Sequence, residues 1–373
     1  MVICYNFKLL CDIIKSSFEI SNRKISSLRK EGGMKETIWD VPKLMGMSTM
    51  YWKISTLFAG TSLDVFSIIG ENGKTAKDVA VVISGDERAT AMVLDAIAAM
   101  ELLEKKDNTY HNTPFSSKFL CKSSPAYIGF IIGHHYQLAK SWASIPEAVK
   151  TGKPVRKRIS SQDENDPAVI ERRENFLMGM FNLAMTVAPK LVPVVDLAGK
   201  KTFLDFGGGP GTYAIHFCKA YPDLTATVFD LPTTRPFAEK TIASFGMEKR
   251  IQFQPGSFFT DDICAEPSYD VAFLSHVLHG ECPENAALVV DKAAKTLLPG
   301  GILVIHEFVL NNDRSAPLFP ALFSINMLLG TEGGQSYSEK ELKEIMAKAG
   351  LKDIKRVDFD SPNDSAMLVG YKL

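Results

Sequence analysis

Apolar residues recur along this chain at two different periods, and the change of period divides it. Between residues 40 and 125 the spacing is helical. Tyr51, Ile54, Phe58, Leu63 and Phe66 fall on one face of a helix predicted over 50–69, which ends in a Gly-Glu-Asn-Gly turn. Thr75 is placed to cap a helix through Val82, and Asp86 to open another through Leu94, Ile97 and Met100. The run LLEKKDNTYHNT then reads as strand, turn and strand, with Asp107-Asn108 at the turn. Two helices followed by a hairpin predict a winged-helix-like unit. Residues 126–195 read as further helices, broken by Gly152-Lys153-Pro154 and by the polar stretch 160–166. His134, His135, Tyr136, Trp142, Phe176, Met178, Met180 and Phe181 are large groups there, suited to a core or to the wall of a flat apolar pocket.

From about residue 196 the pattern becomes short β-rich runs separated by helices. Strands are expected at 202–206, 226–230, 251–254, 269–275 and 302–307, the fifth after a Leu-Pro-Gly-Gly turn, with a last strand at 366–372. This alternation predicts an α/β open sheet that binds ligands at the carboxyl ends of its strands.

Residues 1–33 fit neither pattern. Phe7, Leu10, Cys11, Ile14 and Phe18 could line a helix face, but the stretch from Ser21 to Gly33 is polar and charged. Met34 opens a self-sufficient sequence, so residues 1–33 are expected to be an extension outside the native start. Mass spectrometry of the native protein would decide this.

Composition narrows the function classes. At 373 residues, 46% hydrophobic and 23% charged, the chain has material for more than one globular domain. A formal net charge of -1 provides no global field for nucleic acid or an anionic membrane. The helix opened by Asp86 sets one Arg88 against Asp86, Glu87, Asp95 and Glu101, which would repel a phosphate backbone. The unit is therefore read as an architectural or dimerisation module. No uninterrupted apolar run reaches the roughly 20 residues of a membrane span, and Lys8, Asp12 and Lys15 interrupt any signal-like segment. The six cysteines show no CxxC spacing, which fits reduced thiols in a cytoplasmic enzyme.

The chemistry concentrates around TFLDFGGGPG, a strand that breaks into glycines ahead of a helix. Such a turn lets a ligand lie against bare backbone, and the helix start offers unpaired N–H groups. Gly209, Gly211 and Ala214 satisfy the dinucleotide pattern GxGxxA. Asp205, Gly207, Gly209 and Gly211 also satisfy DxGxGxG, the first motif of S-adenosylmethionine (SAM) methyltransferases. The acid ahead of the glycines favours the second reading, because a carboxylate repels pyrophosphate but suits the α-ammonium of an amino-acid cofactor. Asp230 ends the second strand, 19 residues after Gly211, where a carboxylate can hold a ribose diol. His276 and His279 follow the fourth strand. Their spacing would suit two metal ligands, but no HExxH or third-ligand pattern accompanies them, so no metal is assigned. An imidazole past a strand's carboxyl end faces the pocket and can take a proton from a phenol-like hydroxyl. Glu307, ending the next strand, is placed to hold it.

From about Val41 onward the chain resembles the SAM-dependent O-methyltransferases typified by the hydroxyindole and caffeate enzymes. The resemblance is carried by LDFGGGPGTYA, TVFDLP, RIQFQPGSFF, LSHVLH, LLPGGILVIHEFVL and LLGTEGGQSYSEKEL, and ahead of them by LDVFSII, TAKDVA, LLEKKDNTYHNTP and AVKTGKP. It implies a Rossmann-like class I methyltransferase domain of α/β type at 196–373. Ahead of that it implies a mostly α-helical, winged-helix-like dimerisation domain at 34–125 and a helical connector at 126–195. The resemblance further implies a homodimer working without metal, SAM as cofactor, S-adenosylhomocysteine as product and a small aromatic acceptor. By position, Asp205, Gly207, Gly209, Gly211, Asp230, Leu231, Ser257, Phe258 and Ser275 would meet the cofactor. Phe176, Met180 and Met327 would flank the acceptor. His279 would be the general base, oriented by Glu307. C-methylation, or non-methylating chemistry on the same scaffold, remains an alternative. The chain departs from the family at four points: Ser257 stands in Gly-Ser-Phe-Phe for an Asp, His279 is followed by Gly280-Glu281, Ser336 replaces an acid, and His306 precedes Glu307.

Overall fold

The computed structural model describes residues 39–158, 165–263 and 266–373. The segment 1–33 and its expected start at Met34 lie outside the described residues.

The N-terminal part begins with α1 (Val41–Ser48), α2 (Met50–Ser62) and α3 (Val65–Ile69). The single helix expected over 50–69 is thus two. Asp64 adopts φ +54, a left-handed conformation that ends the first helix and re-aims the second so that Val65, Phe66 and Ile69 are buried. A short β1 (Lys74–Thr75) leads into α4 (Ala76–Ile83), whose Thr75 cap forms a reciprocal capping box with Asp78. Next come α5 (Glu87–Ala99), β2 (Leu103–Lys106) and β3 (Thr109–Asn112). Asp107 and Asn108 both take positive φ, +47 and +65, as a two-residue hairpin turn requires. β1 adds to the hairpin in the order β1-β3-β2. Val65, Phe66, Ile69, Val79, Leu94, Ile97, Leu103 and Tyr110 form the core of this part. By contrast α1 buries no residue, and Trp39, Met45, Met50, Tyr51 and Trp52 are exposed.

After α6 (Pro114–Phe119), the connector consists of α7 (Gly129–Trp142), α8 (Ile145–Thr151) and α9 (Pro167–Leu191). With the turn that follows it, α9 has the length and apolar composition of a membrane span, which inspection of uninterrupted runs did not reveal. Its packing is that of a core helix: Leu177, Ala184, Val187, Ala188 and Leu191 are buried, with α7 on one side and the C-terminal domain on the other.

The C-terminal sheet contains β4 (Thr202–Phe206), β5 (Thr225–Asp230), β6 (Ile251–Pro255), β7 (Tyr269–Ser275), β8 (Leu297–Phe308), β9 (Leu351–Val357) and β10 (Ser365–Lys372). Their order is β6-β5-β4-β7-β8-β10-β9. The first five are parallel, and β10 runs antiparallel to both β8 and β9. β9 was not foreseen, because it lies at an edge and four of the seven residues of LKDIKRV are charged. β8 starts earlier than expected; Gly300 at φ +75 turns within it, beside a register shift against β7.

Successive residues of the strands serve opposite faces. Phe203, Phe273 and Val304 pack with α9, α10 (Thr212–Ala220) and α11 (Arg235–Ser244). Leu204, Leu274 and Ile305 pack with α12 (Pro283–Lys295) and α14 (Glu339–Lys348), while α13 (Leu318–Gly330) crosses the strands' carboxyl ends toward α7 and α8. Connections leave β4 and β7 in opposite directions, which opens a crevice at the carboxyl ends of these two central strands.

Leu94 is fully buried in the N-terminal core. Leu94→Ala should therefore cost about 2–5 kcal/mol in chemical denaturation, against little change for the exposed Met92→Ala.

Candidate active site

The glycine loop is set by conformation at some positions and by space at others. Gly207, Gly209 and Gly211 take φ of +82, +53 and +77. A Cβ on Gly207 would lie 2.6 Å from Val277 and 2.9 Å from Phe258, whereas one on Gly209 would meet nothing within 4 Å. The loop is thus wedged at its start and open at its crest. Helix α10 follows at once, and the buried Thr212 hydroxyl beside its start has no hydrogen-bond partner among the described residues.

Both acids of this region hold the loop from within. Asp205 is 1% exposed, and its Oδ2 accepts from the Ala214 N–H at 3.2 Å, beneath Gly208 rather than at the crest. Asp230 Oδ2 accepts from Gly209 N–H at 2.8 Å, while Oδ1 accepts from Leu231 N–H and the Thr234 hydroxyl. Burial pushes the Asp205 carboxyl up to about 7, with the charge of Asp230 adding to the effect; burial likewise raises Asp230.

Leu231 is exposed beside Asp230. Phe258 packs edge-on against Phe206 at 4.6 Å and bounds the same side. Ser257 donates its N–H to Asp261 at 2.8 Å, so an acid four residues on caps the turn that Ser257 opens. Ser275 turns its hydroxyl to His306 Nδ1 at 2.9 Å, and His306 Nε2 meets Ser365 at 2.8 Å. The unfamiliar His306 is therefore an interior link between β7, β8 and β10, held neutral by burial well below its ordinary range.

His279 lies on a one-turn 3-10 helix, Leu278–Gly280, just past β7. Its Nδ1 is 2.8 Å from Glu307 Oε2, and Glu307 Oε1 accepts from the Leu278 and His279 N–H groups at 2.8 and 3.3 Å. Burial alone would raise the Glu307 carboxyl, but the charge and hydrogen bond of His279, with His276 adding, hold it well below the usual carboxylate range. An ionised Glu307 fixes the proton on His279 Nδ1 and leaves Nε2 able to accept one. His276 lies beside the pair: its Nδ1 is 3.7 Å from Glu307 Oε2. Glu307 thus supplies the third potential ligand that sequence spacing did not reveal.

Aromatic side chains wall the space around the imidazole. Phe323 of α13 meets His279 edge-on at 4.8 Å, and Phe308 packs on Phe323 at 4.5 Å. Met327 is buried on α13, Met180 is half-buried on α9, and Phe176, one turn away on α9, is exposed and packs on His134 at 5.3 Å. Burial drives the His134 imidazole down to about 3, leaving a neutral ring.

The basic stretch Lys153-Pro-Val-Arg-Lys-Arg158, which overlaps the break read at Gly152-Lys153-Pro154, holds α13, the roof over this space, in place. Arg156 donates to the Asn326 carbonyl and side chain at 2.8 and 2.9 Å and to the Ser141 hydroxyl at 2.8 Å, joining α13 to α7. Arg158 pairs with Glu281 at 3.0 Å and hydrogen-bonds the Gly280 carbonyl, next to His279. A high local density of Arg beside Pro was the available signal, but nothing in sequence spacing pointed it at α13.

A seven-stranded sheet with a glycine loop at its switch point defines a Rossmann-like, class I methyltransferase domain behind a helical N-terminal domain. Residues 159–352 match the family model of the O-methyltransferase domain, and residues 45–122 match that of the O-methyltransferase dimerisation domain. The chain belongs to this O-methyltransferase family; it is a methyltransferase, and its cofactor is SAM. It is similar to the 3-hydroxy-5-methyl-1-naphthoate 3-O-methyltransferase of Streptomyces sahachiroi, with 31% identity over 88% of this chain and 94% of the relative. Among solved structures, an O-methyltransferase family protein from Burkholderia thailandensis superposes with a TM-score of 0.79 at 27% identity, covering 90% of this chain and 99% of that one. Human N-acetylserotonin methyltransferase in complex with SAM superposes at 0.76, with 24% identity over 91% of this chain and 99% of that one.

The loop fits that cofactor. Its crest is open where Gly209 lacks a side chain, the Thr212 hydroxyl is orphaned at the helix start, and two carboxylates lie directly below.

Asp205 generates a pH test. Its carboxyl is raised from 3.8 to about 7, so its contribution to stability is full below 3.8 and is lost as pH rises through about 7. Between about pH 5 and about pH 8.5 the ligand-free wild type should lose several degrees of Tm relative to Asp205→Asn, which keeps the acceptor for Ala214. Parallel curves would refute the raised carboxyl.

Proposed function

We propose that the protein transfers the SAM methyl group to a hydroxyl of a small aromatic acceptor, with His279 as general base and Glu307 as its orienting carboxylate. The observation that carries this reading is the 2.8 Å contact between His279 Nδ1 and a fully buried Glu307. Glu307 fixes the tautomer in which Nε2 is a free acceptor, and its hold on the Leu278 and His279 backbone fixes where that nitrogen points.

When bound, SAM supplies a sulfonium-activated methyl group open to in-line displacement. The side chains that would hold it are Asp205, Asp230, Leu231, Ser257 and Phe258 around the glycines of the loop, with Ser275 behind them. The chain's remaining work is to align the acceptor oxygen, strip its water and take its proton at His279 Nε2 as the new bond forms. Phe308, Phe319 and Phe323, whose ring centroids are 4.5–6.1 Å apart, suit a flat aromatic acceptor, with Phe176, Met180 and Met327 flanking it. The naphthoate enzyme of Streptomyces sahachiroi and the tetracenomycin 8-O-methyl transferase of Streptomyces glaucescens are named for fused-ring acceptors, in keeping with this wall.

A homodimer follows from the match to the dimerisation domain and from the apolar side chains exposed on α1 and α2. Trp52, 61% exposed, offers the simplest probe. Trp52→Glu should shift the species in light scattering from dimer to monomer while leaving the monomer folded.

Incubation with methyl-labelled SAM and a panel of phenols, naphthols and hydroxyindoles should yield an O-methyl product by NMR. His279→Gln should lower kcat by about 10²–10⁴ with the Kd for SAM nearly unchanged. Unaltered turnover in that variant would remove His279 from its role.

A further inference from the structure

His276, His279 and Glu307 converge more tightly than the base assignment alone requires. Their ligand-type atoms all lie within 4.8 Å of one another. His276 adopts φ +56, uncommon for a residue other than glycine, and this aims its ring inward between His306 and Phe308, whose centroids are 4.3 and 4.2 Å away. Its Nδ1 is buried without a hydrogen-bond partner among the described residues. A buried polar atom left unmatched in this way carries a desolvation cost that a ligand could relieve.

We propose that these three side chains form a binding site for a divalent transition metal of the zinc or cobalt(II) class, and that the metal silences the enzyme. Two imidazoles and one carboxylate suit such ions. A tetrahedral ion with bonds of about 2.0–2.1 Å sets its ligands about 3.3 Å apart. The separations here are 2.8 Å from His279 Nδ1 to Glu307 Oε2 and 3.7 Å from His276 Nδ1 to the same oxygen. These two bracket that value, and the two imidazoles, whose nitrogens lie within 4.8 Å of each other, close the site by turning their rings toward the shared oxygen. The His276 and His279 side chains are 20% and 14% exposed, which gives an ion access from the pocket. The fourth position is left for water.

Inhibition follows from where the proton goes. A neutral imidazole carries one ring proton, and in the free protein Glu307 holds it on His279 Nδ1. Coordination through Nδ1 moves that proton to Nε2, the nitrogen that must be empty to accept the acceptor's proton. No bond in the substrate is touched; the base is switched to its non-accepting tautomer. The inhibitory half of this inference rests on His279 being the base, and the binding half does not.

The test uses the metal-stripped full chain and cobalt(II) alone, then zinc. One cobalt(II) per chain should bind with the visible absorption of a tetrahedral nitrogen–oxygen site. His276→Asn removes one ligand but tolerates the left-handed backbone, and should weaken cobalt binding at least tenfold at unchanged Tm. Glu307→Gln provides a second variant and should weaken it comparably. Failure to bind cobalt, or an identical spectrum and affinity in both variants, would overturn the site. Zinc should abolish methyl transfer in the wild type at unchanged SAM affinity, with at least tenfold less sensitivity in His276→Asn. Stoichiometric binding without loss of transfer would leave the site standing and overturn the silencing, together with the assignment of His279 as base.

Discussion

One buried carboxylate organises the carboxyl ends of the adjacent strands β7 and β8. Glu307 is 2% exposed and accepts from the Leu278, His279 and Phe308 N–H groups as well as from His279 Nδ1. A bare carboxylate in such a place would be prohibitively desolvated, and it persists because four donors surround it. Those donors come from the end of its own strand and from the turn after β7, so the bond that stabilises the charge also registers β8 against the turn that carries His279. Structure and chemistry therefore fail together if Glu307 is truncated. Removal of the carboxyl would leave the Leu278, His279 and Phe308 N–H groups unmatched as well as the imidazole unanchored.

The glycine loop is built on the same logic with the opposite electrical outcome. Asp205 and Asp230 each brace the loop through a backbone N–H, but burial raises both, with the charge of Asp230 adding at Asp205, where Glu307 is lowered. The difference lies in partners: imidazoles face Glu307, whereas the hydrogen-bond donors to the two aspartates are all neutral. A cationic amino group brought to the loop would supply the missing partner, so the ligand-free loop is electrostatically incomplete where the base site is not.

Much of this was legible in the sequence, and the rest was hidden for definite reasons. The turn Asp107-Asn108, the caps Thr75 and Asp86, and the run from Thr202 through the glycines are local signals, and each forms as its chemistry dictates. The pairing of His279 with Glu307 could be anticipated because they lie just past and at the ends of two adjacent parallel strands. The break at Asp64 was missed because a left-handed aspartate has no periodic signature, and β9 because an edge strand need not be apolar. Asp205, read as a partner for an α-ammonium, lies beneath the loop, since a residue within an interior strand points its side chain according to the pleat. Arg156 and Asn326 are 170 positions apart, beyond the reach of any pattern in the chain.

The four departures from the family pattern make sense once each is given its neighbours. Ser257 has Asp261, Glu281 has Arg158 and Tyr337, Ser336 has the Pro320 carbonyl, and His306 has Ser275 and Ser365. All four are satisfied by residues of this chain and need no ligand to complete them. Two of them, Ser336 and Glu281, act on the roof and not on the cofactor loop: Ser336 fastens the start of α13, and Glu281 receives Arg158 from the connector. Arg156 grips the other end of α13, where a Cβ on Gly330 would already press to 2.6 Å from the guanidinium. The helix that presents Phe319, Phe323 and Met327 is thus held at both ends by contacts outside the cofactor loop. Changes in these contacts can then re-shape the aromatic wall beside His279 while the loop, Glu307 and His279 keep their geometry.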